Sequence, residues 1–80
     1  MKVTLEREMP LSGATIRVAL EPLEGERVRV VQMSRRKPDS ERFFKVDGEA
    51  GRICRWDQLG FDRPFAEVFG GTHGTTRTQV

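Results

Sequence analysis

The sequence is poor in the residues that build reactive or covalently stapled sites. Of 80 residues, one is cysteine (Cys54) and one is histidine (His73). A single thiol cannot close an intrachain disulfide, and small secreted domains usually carry several. The expected compartment is therefore reducing and cytoplasmic. One Cys and one His cannot supply the four ligands of a structural zinc site. The acidic residues do not follow the spacing of a calcium loop either. No metal and no cofactor are expected. Cys54 stands between Ile53 and Arg55 in a strand-like segment and reads as a small core hydrophobe. His73 stands in a Gly- and Thr-rich stretch. Neither has a neighbour that would activate a thiol, so the expectation is a protein that is not an enzyme.

Long apolar runs are also missing. No segment approaches the roughly 18 apolar residues of a membrane span. The first residues, Met1-Lys2-Val3-Thr4-Leu5-Glu6-Arg7-Glu8, carry charge where a signal peptide would be apolar. No membrane association is expected. Tyrosine is absent, and Trp56 is the only tryptophan. Apart from Phe43 and Phe44 the aromatics lie late, at Trp56, Phe61, Phe65 and Phe69. A domain of this size buries only about 60–65% of its unfolded surface. Its core yields about 3–5 kcal/mol of net stability. Little is left over for a deep cleft, and a dimer or a partner would relieve the shortage.

What the chain does contain is strand-forming alternation. Residues 2–8 place Val3 and Leu5 on one side. Residues 14–21 alternate Ala14, Ile16, Val18 and Leu20 with Thr15, Arg17, Ala19 and Glu21. A turn around Pro22 and Gly25 leads to a β-branched third strand over 27–33, so that 14–33 reads as an antiparallel hairpin. Ser34 to Glu41 reads as an exposed loop. Residues 42–46 and 52–56 read as two further strands joined by a tight reversal at Asp47-Gly48. Asp62, Pro64 and the spacing of Phe61, Phe65, Val68 and Phe69 predict a helix over 62–69, capped by Asp62 and stopped by Gly70 and Gly71. Those glycines follow the helix, whereas a phosphate cradle needs them before one. The expected fold is mainly β (α+β): about five short antiparallel strands in a small curled sheet or partly open barrel, plus one short C-terminal helix. The domain would span 1–71, and 72–80 would be a flexible tail. Thr78-Gln79-Val80 resembles a peptide ligand's end but is too short a match to count.

Charge is unevenly spread. Residues 1–26 carry three basic against five acidic side chains, and residues 27–45 carry seven basic against two acidic ones. Two functional classes follow. The first is a small protein-binding module, an accessory, inhibitor or regulatory protein of the bacterial, phage or mobile-element type. It would act on a protein partner or by homodimerisation through Arg35, Arg36, Arg55 and Trp56, since Arg and Trp are favoured interface anchors. The alternative is a nucleic-acid-binding β domain. It would use a basic sheet face and the 34–37 loop, with Arg17, Arg29, Arg35, Arg36, Lys37, Phe43 and Lys45 as contacts. Acidic residues threaded through the same stretch weaken that alternative. Whether the basic residues converge on one patch discriminates between the two.

Overall fold

The computed structural model describes residues 1–70. The expected tail, with His73, lies outside the described residues. Five antiparallel strands form one open sheet: β1 (Val3–Glu8), β2 (Thr15–Leu23), β3 (Arg27–Arg36), β4 (Phe43–Lys45) and β5 (Ile53–Arg55). A 3-10 turn (Trp56–Leu59) and one short helix, α1 (Phe65–Phe69), follow. The mainly β class predicted from alternation is correct, and the sheet does not close into a barrel.

The hairpin of β2 and β3 is the backbone of the sheet and is longer than its pattern implies. β2 continues through Pro22, which is tolerated because β1 pairing ends at Val3 opposite Leu20 and leaves β2 one neighbour there. Gly25 and Glu26 make the turn with φ of 73° and 56°. β3 runs on to Arg36, so Ser34, Arg35 and Arg36 belong to a strand and not to the expected loop. Ser34 is buried.

Between Ala19–Gln32 and Leu20–Val30 the register slips, leaving Val31 as an extra residue in β3. A bulge of this kind shifts the phase of alternation along its strand. Val28 and Val30 before it, and Met33 and Arg35 after it, therefore share one face, because each lies opposite an inward residue of β2 (Pro22, Leu20, Val18 and Ile16).

β4 and β5 are not a hairpin. Both pair with β3, at Ser34–Arg36 and at Arg27–Arg29 respectively, and no pairing joins them to each other. They are two halves of one interrupted strand. The segment 46–52 makes an excursion and returns to the same edge, where Val46 N–H donates to the Met33 carbonyl (2.8 Å) and Gly51 N–H to the Val30 carbonyl (2.7 Å). Gly48 and Gly51 hold φ of 84° and 90°. The glycine signal was real, but it serves a detour beside the bulge instead of a reversal.

The core lies on one face, at one end. Val18, Leu20, Val28 and Val30 meet Trp56 and Phe69, with Cys54, Phe61 and Phe65 packed against them. The predicted helix shrinks because Pro64 restricts the residue before it to extended backbone. Pro64 itself is the extended N-cap (ψ 149°), and Asp62 does not cap. Gly70 ends the helix at φ −70°, and Gly71, the other glycine of the expected stop, lies outside the described residues. The 3-10 turn is opened by Gln58, whose Oε1 accepts from Arg55 N–H (3.0 Å), and closed by Gly60 at φ 75°.

Trp56 is the pivot of this cover. It is 4% exposed, its Nε1–H donates to the Arg63 carbonyl (2.7 Å), and its ring stacks on Phe61 with centroids 5.4 Å apart. Trp56→Phe removes that donor and shrinks the ring. Urea unfolding is expected to show a loss of about 1–2 kcal/mol; unchanged stability would contradict the pivot role.

Candidate functional site

Cross-strand partners in an antiparallel sheet point to the same face, so the register assigns every charge to a side. The face opposite the core, called the outer face here, carries Glu6, Glu8, Thr15, Arg17, Glu21, Arg29, Arg36, Phe43 and Lys45. Its ions are largely neutralised in place. Arg17 Nε donates to Glu6 Oε2 (2.7 Å), and Arg29 Nε donates to Glu21 Oε1 (2.9 Å). The guanidinium of Arg17 sits 3.7 Å from the centre of the Phe43 ring, with that of Arg36 at 5.3 Å. Arg36 also donates from Nη2 to Thr15 Oγ1 (3.2 Å), while its Nε is shielded without an acceptor among the described residues.

The predicted basic residues are therefore divided. Arg17, Arg36, Phe43 and Lys45 do meet on the outer face. Arg29 shares that face, but it lies beyond the bulge and is tied to Glu21. Arg35 points to the opposite face, and Lys37 lies past the end of β3. The set does not form one basic face continuing into a 34–37 loop, because that loop is strand and its alternation sends neighbouring arginines to opposite sides. The Phe43 ring is already covered by a guanidinium, so it is not an open stacking platform.

The protein-contact set separates too. Trp56 is core, not surface. Arg55 pairs with Asp57 (3.0 Å) at the far end of the sheet. Arg36 and Arg55 lie on the outer face, and only Arg35 of this set lies on the inner face, at the end away from the core.

That surface is the end of the inner face beyond the core, where the 3-10 turn reaches Arg7 through the Leu59 carbonyl. One cross-strand row there reads Arg7, Ile16, Arg35, Phe44. The next row holds Leu5, Val18 and Met33. A groove of about 280 Å³ opens between the sheet and the 3-10 turn, with Met9, Ile16, Met33, Leu59 and Phe61 among its walls. Phe44 is 51% exposed and Leu11, on the β1–β2 loop at this end, is fully exposed.

Two arginines, Arg7 and Arg52, line the groove, and Arg35 lies opposite Ile16 beside it. Arg17, Arg29, Arg52, Arg55 and Arg63 each pair with a carboxylate. Among the described residues, Arg7, Arg27, Arg35, Arg36 and Arg42 pair with none. Arg7 reaches the Leu59 carbonyl at 3.4 Å and lies against Gly60, where a Cβ would meet its guanidinium at 3.2 Å. Arg42 lies 5.4 Å from the centre of the Phe44 ring. No strand residue of the inner face is acidic.

Arg7, Ile16, Met33 and Phe44 were not among the residues singled out from the sequence. The register of Arg7 with the apolar phase of β1, Val3 and Leu5, was the signal that could have found the first of them. Among the described residues no cluster of His, Cys, Asp or Glu is arranged for a metal, and no helix is long and apolar enough to cross a membrane. Comparison with known proteins returns no matching family model, no matching curated protein and no matching solved structure.

The two adjacent phenylalanines have different work. Phe43 is half-buried beneath Arg17, and Phe44 faces solvent. Phe43→Ala is expected to cost about 1–2 kcal/mol in urea unfolding, and Phe44→Ala less than about 0.5 kcal/mol. Equal costs would show that the facing of β4 is misassigned.

Proposed function

We propose that this protein is a small non-enzymatic binding module that engages a protein partner through the bare end of its inner sheet face. One observation carries the reading: an apolar groove with Arg7 and the Glu49-paired Arg52 in its walls adjoins a cross-strand row in which Arg35 lies between Ile16 and exposed Phe44, and Arg7, Arg35 and Arg42 pair with no carboxylate of the described residues. A contiguous apolar patch edged by unneutralised charge is what a binding surface needs, because side chains of a partner bury there while its charges fix orientation. Arg35 and Phe44, directly opposite one another, are the contacts at its centre. The lone thiol and the small size fit an accessory or regulatory protein of bacterial or phage type working in the cytoplasm.

A second reading rests on the meeting of Arg17, Arg36, Phe43 and Lys45 on the outer face. It is a nucleic-acid contact, with phosphates on the cations and affinity falling steeply with salt. The Glu6 carboxylate on Arg17 and the occupied Phe43 ring place it second.

Photo-crosslinking separates the two. A benzophenone amino acid replaces Phe44 in one variant and the outer-face Ile53 in another, and each is irradiated in lysate of the source organism. A discrete protein adduct is expected from position 44 and not from position 53. Adducts with nucleic acid, or equal adducts from both positions, would overturn the reading.

A further inference from the structure

The bare end also restricts what its partner is made of. Resting on the partner-binding reading, we infer that the occupant is an acidic, apolar segment of another protein, with aliphatic or aromatic side chains in the groove and Asp or Glu on Arg35, Arg42 and Arg7. Three arguments converge on it.

The first is charge. Guanidinium forks bind carboxylates in a planar, bidentate way that fixes register as well as attraction. Five other arginines of this domain already have such a partner. Arg7 in the groove and Arg35 and Arg42 beside it do not, and the inner faces of the strands offer them none. Arg52, the other arginine of the groove, is held by Glu49, and Arg27 and Arg36 on the outer face are also without a carboxylate among the described residues. Asp39 and Glu41 lie on the adjoining loop, both exposed and without an ion pair to these arginines.

The second is the floor. Ile16 and Met33 are half-buried beneath solvent, and the groove is of a size to take a leucine- or phenylalanine-like side chain. Thioether and aliphatic walls adapt to such groups. A phosphate backbone would leave that floor wet and would find only three cations.

The third excludes a second copy of this chain. Two-fold pairing through the patch would bring the Arg7, Arg35 and Arg42 cluster of one copy against that of the other, and like charges in contact cost several kcal/mol. Stacking the patch on the outer face of another copy would set its arginines against a face where Arg17, Arg29, Arg36 and Lys45 outnumber Glu6, Glu8 and Glu21. It would also have to break the pairs of Glu6 and Glu21 with Arg17 and Arg29.

The test pans a phage-displayed library of random peptides on the intact protein. The recovered pool is expected to be rich in Asp and Glu interleaved with Leu, Ile or Phe. A synthetic peptide from that pool should bind at least about tenfold more weakly to Arg35→Glu and to Phe44→Ser, and equally to Lys45→Glu on the outer face. Both weakening variants alter exposed residues, and their amide spectra should show the native fold. An enriched pool with no acidic bias that still loses binding on Phe44→Ser overturns the acidic partner and leaves the binding surface standing. An acidic pool that ignores both substitutions overturns the surface as well. Displacement of the peptide by single-stranded oligothymidylate points to nucleic acid and overturns the inference. So does a concentration-dependent dimer abolished by Arg35→Glu, and so does failure to enrich any peptide.

Discussion

The indole of Trp56 is the interaction on which the rest of the structure depends. An open sheet has two faces, and among the described residues one short 3-10 turn and one five-residue helix cover them. Trp56 holds both to the sheet. It lies in the core with Val18, Leu20, Val28 and Val30, meets Phe61, Phe65 and Phe69, and ties down the intervening loop through the Arg63 carbonyl. Because that cover is short, it protects one end of one face. The other end lies beyond the core that these two elements cover.

A second constraint sorts the charges. Alternation alone would carry Arg36, in phase with Val28 and Val30, inward, and Arg35 outward. The extra residue Val31 reverses that, sending Arg35 to the apolar side beside Ile16 and Phe44, and Arg36 to the side of Thr15 and Phe43. The outer face becomes a lattice of local ion pairs and cation–π contacts, each modest on an exposed surface. The inner end keeps cations without carboxylates. Two adjacent arginines thereby acquire opposite roles from one backbone irregularity.

Much of the fold is legible in the residues, for physical reasons. β1, β2 and the start of β3 alternate cleanly because one side is buried against the cover and the other is wet. The end of the sheet is harder. Phe43-Phe44 and Ile53-Cys54 are apolar pairs in which one member faces each way, so alternation is hidden. Asp47-Gly48 has the local conformation of a reversal, yet the free edge of β3 beside the bulge captures both flanking strands. The shortened helix was encoded in Pro64, whose effect on the preceding residue outweighs the capping ability of Asp62. Of the candidate contacts, Arg35 sits at the proposed surface, Trp56 is core, and Arg36 and Arg55 face elsewhere. The missing signal was the phase shift at Val31, which only the register with β2 exposes.

The central claim is that one face of this sheet is core at one end and open at the other. Paramagnetic relaxation by a neutral, soluble gadolinium chelate tests it most directly, read on side-chain protons by NMR. Phe44, Met9 and Ile16 are predicted to relax strongly, while Val28, Val30 and Leu20 on the same face stay protected. Uniform protection along the face, with Ile16 and Phe44 as sheltered as Val28, would contradict the account.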